Sequence, residues 1–288
     1  MEAEPKASSV VRDMSERRRY AMICGNGRFP ILALEAARKL GDEVVALGIE
    51  GEATKEIETL ASSTHWLTIA QLGKLIDTMH AERVTEVMMC GQVKHASIFS
   101  SLRPDWRLAK LLFTLPQKNT EALIGGVMRV LEEEGIRLVD STTLLKPLLA
   151  GTGVLTKRSP SKDELADIEY GRKIAAALSG FDLGQSVAIA ERACVALEAM
   201  EGTDAMLRRA AGLVNGKAMT LVKGSRRRKH LLFDVPVVGP GTVATMKEAG
   251  CTALAIDAGR TLLLDREEML AATDAAKITI VGYEVIGE

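Results

Sequence analysis

The chain reads as α/β: an N-terminal Rossmann-like parallel sheet domain, followed by a second α/β domain on a mixed sheet. Three observations predict this. From Tyr20 to Asp140, short apolar runs alternate with amphipathic stretches, the pattern of parallel strands joined by crossover helices. Polar, glycine-containing loops follow two of those runs, at Gly25–Pro30 and Gly91–His95, where open α/β sheets build their sites. Beyond a stretch punctuated by Gly151, Gly153, Ser159 and Pro160, apolar runs resume with a more mixed spacing. A length of 288 residues favours two domains. The expected division is a flexible tail over 1–19, a first domain over 20–150 and a second over 151–288.

Taken in order, residues 1–19 are polar and lack apolar periodicity. Arg17, Arg18 and Arg19 offer either a solvated leader or a contact for anionic lipid. Tyr20–Cys24 is a buried strand. A helix follows Gly25–Pro30 and runs to Leu40, with Leu32, Leu34 and Ala36 or Ala37 inward, ended by Gly41. Glu43–Ile49, Trp66–Ile69 and Glu86–Cys90 are strands, with a helix over Ala70–His80. Residues 96–105 look irregular. Trp106–Phe113 and Gln117–Glu134 are helices, and Gly125-Gly126 in the second permits close approach or marks a kink. Ile136–Asp140 is a further strand.

In the second half, Asp163–Leu178 is an amphipathic helix. Ser186–Ala190 and Cys194–Ala199 suggest a hairpin around Glu191-Arg192. Met219–Lys223 and Leu231–Phe233 are strands. Gly239-Pro240-Gly241 turns the chain into a helix through Ala249, for which Thr242 is the candidate N-cap. Ala253–Asp257, Thr261–Leu264 and Ile278–Val281 complete the strands, with a helix over Arg266–Asp274.

The totals exclude some classes. Hydrophobic residues at 47% and charged residues at 26% are ordinary globular composition. A net charge of −1 and 3% aromatic content argue against a nucleic-acid partner. Cys24, Cys90, Cys194 and Cys251 are isolated, so free thiols are expected. The four histidines show no paired ligand spacing for zinc. No run is long and apolar enough to span a bilayer, and a cytoplasmic protein is expected.

Candidate chemistry sits at strand ends. Gly25, Asn26, Gly27, Arg28 and Phe29 form a loop entering a helix, which suits a phosphate through backbone N–H groups and the helix dipole. The loop is not a full GxGxxG, and a tight structural turn explains it about as well. Gly91, Gln92 and Lys94 form a second loop on the same expected sheet edge. In the second half, Asp182 and Gln185 precede one strand, Glu198, Glu201, Thr203 and Asp204 follow another, and Thr203 or Asp204 could instead cap a helix. Asp234 precedes Val235-Pro236, which keeps it extended before a glycine-rich turn. Asp234, Glu201 and Asp204, with Thr203, suit a hard divalent metal such as Mg²⁺. Lys223 and Arg226–Arg228 supply positive charge for a diphosphate, unless the run is a solvated loop.

Several long blocks carry a resemblance: CGNGRFPILALEAARKLGDEVVAL, GQVKHASIF, LIGGVMRVLEEEGIRLVDST, the stretch from DIEYGRK to GTDAMLRRA, and FDVPVVGPGTV. Together, from about Ala21 to Gly282, they resemble LpxI-type UDP-2,3-diacylglucosamine pyrophosphatases. The resemblance implies Mg²⁺-dependent hydrolysis of a pyrophosphate bond, giving UMP and 2,3-diacylglucosamine 1-phosphate (lipid X), in lipid A synthesis. It implies a UDP-side N-terminal domain, a lipid X-binding catalytic C-terminal domain, a homodimer and peripheral contact with the inner face of the inner membrane. It places Asp234, Thr203 and Lys223 in catalysis and Asp234, Glu201 and Asp204 at the metal. It assigns Gly25–Phe29, Gly91, Gln92, Lys94, Asp182 and Gln185 to substrate binding. Where the family reads a proline and a glutamine between Lys223 and Asp234, this chain has KGSRRRKHLLFD. Two alternatives stand beside this reading: another nucleotide-sugar enzyme on the same fold, and a non-catalytic nucleotide-sugar or lipid-phosphate binding protein.

Overall fold

The computed structural model describes residues 17–93, 103–115, 120–178, 184–225 and 235–286. Within them the chain builds two main sheets, as the α/β pattern predicts. The first is parallel, with strand order β3-β2-β1-β4-β5, where β1 is Arg19–Cys24, β2 Glu43–Ile49, β3 Ser63–Leu67, β4 Glu86–Cys90 and β5 Arg137–Leu138. The chain steps outward from β1 to β3, then returns to lay β4 along the other edge of β1, so a topological switch lies between β1 and β4.

Period-two alternation sorts the strand side chains onto two faces. Ala21, Val45, Leu47 and Val87 pack with the helices Leu72–Ala81, Trp106–Thr114 and Thr120–Glu133. Tyr20, Met22, Cys24, Val44, Ala46, Met88 and Cys90 pack with the helix Phe29–Lys39 and a 3-10 segment at Ser141–Leu148. Gly126 is a point of close approach, because a Cβ there would lie 2.7 Å from Leu111 Cδ1; at Gly125 there is open space.

The second sheet is mixed, in the order β6-β13-β11-β9-β7-β8. Its strands are β6 Gly153–Val154, β7 Ser186–Ala190, β8 Ala193–Leu197, β9 Met219–Lys223, β11 Cys251–Asp257 and β13 Thr279–Tyr283. β9, β11 and β13 run parallel, and β6, β7 and β8 join antiparallel. One face packs on the helix Lys162–Leu178, the other on Thr203–Ala211, Pro240–Ala249 and Arg266–Ala275. The expected hairpin is present: Glu191 and Arg192 both have positive φ, 50° and 59°, the backbone of a type I′ turn made without the usual Asn-Gly. A pair of two-residue strands, β10 (Val237–Val238) and β12 (Leu262–Leu263), lies between the halves. Leu262, Leu264, Val235 and Val237 pack in the same cluster as Phe29, Leu144 and Leu145 of the first half.

Several expectations shift. Arg19 opens the first strand rather than ending a tail, and Arg18 before it is tied down as well: Arg18 pairs with Glu86, and Arg19 pairs with Glu82 and, at 3.0 Å, with Glu43. The third strand ends at Leu67 instead of reaching Ile69. Gly153, read as punctuation, opens the edge strand β6. Thr242 does not cap its helix, which starts two residues earlier with Gly239 as N-cap and Pro240 in the first turn, where a missing N–H costs nothing. In the first helix Leu32 is only half-buried, while Phe29, Ile31, Ala33, Leu34 and Ala37 are inward. The expected strand Leu231–Phe233 lies outside the described residues.

Candidate functional site

Two sets of candidate residues occupy the carboxyl ends of the two sheets. In the first sheet, Cys24 and Cys90 are register partners on β1 and β4, so the loops that follow leave side by side at the topological switch. Gly25 N donates to Cys90 O at 2.8 Å. Asn26 N donates to Gln92 O at 2.7 Å, and Gln92 N returns a bond to Asn26 O at 3.1 Å. Glycine makes this closeness possible: a Cβ at Gly25 would lie 2.7 Å from Gln92 O, and one at Gly91, whose φ is +90°, 2.7 Å from Asn26 O. Gly25, Asn26, Gly91 and Gln92, nominated from separate stretches, are thus one structure. Gly27 and Arg28 are exposed beside it.

Arg28 reaches across to the second half of the chain. Its Nε and Nη2 donate to the Asp265 carboxylate at 3.2 and 3.3 Å, and Glu56 lies 3.9 Å away. Asp265 holds a left-handed backbone, φ 46°, immediately before the Arg266–Ala275 helix. The bonds to Asp265 hold the Arg28 guanidinium above its ordinary pKa, so it stays cationic. Phe29 is buried in the core, and Lys94 lies outside the described residues.

In the second sheet, Lys223 ends the central strand β9 and is paired with Ser186 of β7 and Ile256 of β11. Its Nζ donates to Thr203 Oγ1 at 3.1 Å. Thr203 opens the helix Thr203–Ala211, but its side chain does not cap it; the N-cap is Gly202, with φ 83°. Instead the hydroxyl lies 3.1 Å from Glu198 Oε1 and 3.0 Å from Ser186 Oγ. Gln185 N donates to Glu198 Oε2 at 3.2 Å, and Gly224 N donates to Gln185 O at 2.9 Å. Beside them, Ser225 donates through N and Oγ to Asp257 Oδ2, at 2.6 and 2.7 Å. Lys223, Thr203 and Gln185 are therefore brought together.

Ser186 and Asp257 belong to this edge although they were not candidates, and so does Glu198, which was noted at a strand end but given no role. The signal for Asp257 and Ser186 was their position at ends of apolar runs; nothing local marks Glu198 as the partner of Thr203. Glu201 stands apart, bonded to Arg209 at 2.6 Å and to Ala199 N at 3.0 Å, and the Arg209 bond foremost holds its carboxyl below the ordinary range. Asp204 is exposed on the first helical turn. Asp182 and Asp234 lie outside the described residues, though Val235, next to Asp234, packs in the cluster that holds Phe29.

The described residues do not by themselves fit a metal: among them no three His, Cys, Asp or Glu side chains are grouped to hold one, and Glu201 is committed to Arg209. The cysteines are free thiols, and burial pushes Cys24 and Cys251 up to about 12, which leaves them un-ionised. Among the described residues no helix is long and apolar enough to cross a membrane.

The chain matches two family descriptions: the LpxI N-terminal domain over residues 19–148 and the LpxI C-terminal domain over residues 151–281. It is 28% identical over 277 residues to the UDP-2,3-diacylglucosamine pyrophosphatase LpxI of Caulobacter vibrioides, covering 93% of this chain and 98% of that protein. Among solved structures, phosphoribosylglycinamide synthetase from Anaerococcus prevotii aligns with 60% of this chain at 14% identity, with a TM-score of 0.27. An N5-carboxyaminoimidazole ribonucleotide synthetase in its ADP complex aligns equally, also at 0.27. The chain spans 32% and 31% of those two proteins, and likenesses at this level carry no argument.

Proposed function

The chain belongs to the LpxI family, and from that premise we propose that it hydrolyses the pyrophosphate bond of UDP-2,3-diacylglucosamine, releasing UMP and 2,3-diacylglucosamine 1-phosphate, in lipid A synthesis. The observation that carries the reading is the contact of Lys223 with Thr203. It sets a cation beside a helix N-terminus, at the end of the strand from which the chain continues to Asp234. A diphosphate in transit needs such charge where negative charge develops.

In this reading the first domain, 20–150, takes the UDP part at the paired loops of Gly25–Arg28 and Gly91–Gln92. The second domain, 151–288, takes the lipid phosphate at the Lys223 edge. Arg28 exchanges its Asp265 partner for a phosphoryl oxygen, a charge-assisted bond that a guanidinium makes well. Lys223 binds the lipid-side phosphoryl group, and Asp234 orients or deprotonates the attacking water. A divalent metal, Mg²⁺ by expectation and with Asp234 as its candidate ligand, would neutralise charge on the diphosphate.

Peripheral contact with a bilayer belongs to the same reading, since the substrate carries two acyl chains. The Trp106–Thr114 helix supports it: Trp106, Lys110 and Phe113 are exposed on one helical face, with Phe113 at 91%. Co-sedimentation with anionic vesicles tests that surface. A homodimer and a cytoplasmic location rest on the resemblance alone.

The deciding experiment incubates the purified chain with UDP-2,3-diacylglucosamine over a range of Mg²⁺ and measures UMP. Turnover lost in Asp234→Ala, with substrate binding retained, is the expected result. Binding without UMP release at any metal concentration would establish a non-catalytic binding protein instead. Wild-type rates from Asp234→Ala would remove Asp234 from the mechanism.

A further inference from the structure

The Thr203 hydroxyl has one proton and two lone pairs, and the structure places three partners around it. Glu198 Oε1, at 3.1 Å, is a carboxylate oxygen and can only accept. Lys223 Nζ, at 3.1 Å, can only donate. The proton therefore lies on the Glu198 side, one lone pair faces Lys223, and the other takes the proton of Ser186 Oγ at 3.0 Å. Every bonding direction of the hydroxyl is spent, so it has nothing to donate to a phosphoryl oxygen. The Lys223 ammonium has three protons, one of them on Thr203, and among the described residues the other two meet no hydrogen-bond acceptor.

Glu198 is itself fixed. Oε2 accepts from Gln185 N at 3.2 Å, its backbone N donates to Ser186 O at 2.9 Å, and its carbonyl accepts from Gly184 N at 3.1 Å. Gly184 has no room for a side chain here, since a Cβ would lie 2.4 Å from Glu198 O and 2.5 Å from Glu198 Cγ. A rigid hairpin between β7 and β8 thus carries the carboxylate to the hydroxyl.

We propose that Glu198 is a positioning residue for Lys223, acting through Thr203. By holding the Thr203 proton, Glu198 turns a lone pair of that oxygen onto the ammonium and fixes where Lys223 meets the phosphoryl group. Thr203 is the bridge, not a ligand of the substrate. The inference rests on the pyrophosphatase reading and adds Glu198 to it.

Glutamine cannot replace Glu198 quietly. In either amide orientation its NH₂ group faces a donor, the Thr203 hydroxyl or the Gln185 N–H. The test is a double-mutant cycle in the full chain, with kcat and KM for UDP-2,3-diacylglucosamine as readouts. Glu198→Gln and Thr203→Val should each lower kcat/KM by about tenfold, the scale of one hydrogen bond to a charged group, mainly through kcat. The double variant should be no worse than the poorer single one, because both cut the same connection. Thr203→Ser, which keeps the bridging oxygen, should stay within about twofold of wild type.

Additive losses in the double variant, or a Thr203→Ser variant as poor as Thr203→Val, would overturn the proposal while leaving the pyrophosphatase reading intact. A wild-type chain that releases no UMP would overturn both. If Glu198→Gln fails to fold, Glu198→Asp, too short to reach both donors, takes its place in the cycle with the same expectations.

Discussion

Gly25→Ala tests whether the two loops at the topological switch act as one unit. The new methyl would lie 2.7 Å from Gln92 O and 3.0 Å from Gln92 C, about 0.7 Å inside the 3.4 Å of an ordinary contact. Both neighbours are backbone, so no side chain can swing away. Gly25 is not in the left-handed region, and the perturbation is steric alone. Relief must come from moving the Gln92 peptide, which carries the Asn26 N to Gln92 O and Gln92 N to Asn26 O bonds, at 2.7 and 3.1 Å. Losing one or both costs about 1–3 kcal/mol. A displacement of that size at a binding loop also lowers turnover, by roughly 10- to 100-fold in kcat/KM. Urea unfolding and initial rates of UMP release measure the two effects. Gly125→Ala is the control, with open space for the methyl in a helix and an expected gain of up to about 1 kcal/mol. A Gly25→Ala protein with wild-type kinetics and a wild-type urea midpoint would refute the idea that the loops are locked together.

Two further outcomes follow from charge placement. Burial raises the pKa of Glu164, but two 2.8 Å bonds from Arg158 and a 2.7 Å bond from Ser161 N more than offset this, leaving it at about 2 against 4.5. A depressed folded-state pKa gives stability that is complete above about pH 4.5 and lost as pH falls through about 2, on the order of 3 kcal/mol in all. Urea midpoints measured across that window should fall for wild type and stay flatter for Glu164→Gln; parallel profiles would sink the assignment. Arg28 is 47% exposed at its side chain, so Arg28→Ala should change stability by less than about 1 kcal/mol. If Arg28 moves to the diphosphate, the same variant should lose about tenfold in kcat/KM, and an unchanged rate would leave Arg28 as an interdomain tie only.

Much of the fold was legible because its signals are local. Glu43–Ile49, Ser186–Ala190 and Met219–Lys223 are strands with the expected bounds, each a run of apolar residues buried on both faces. The helix Lys162–Leu178 was legible from its amphipathic pattern, and the structure adds a capping box at its start, in which Ser161 N donates to Glu164 Oε2 and Glu164 N to Ser161 Oγ. The short strands Gly153–Val154 and Val237–Val238 were missed, since two residues carry no period. Thr242 misled because Gly239-Pro240 supplies both the cap position and a first turn with preset φ.

By itself the sequence determined two successive α/β halves, glycine-bearing loops at strand ends, and Lys223, Thr203 and Arg28 as groups worth watching. Each of these depends on neighbours along the chain: period, turn chemistry and residue type. Tertiary structure alone decided which strands adjoin, and so that Gly25 meets Gln92 across 67 residues, and Arg28 meets Asp265 across 237. It also decided that Thr203 bridges Glu198 to Lys223 rather than capping its helix. A hydroxyl's partners are set by what the folded sheet brings within 3 Å or so, and no local pattern encodes that distance.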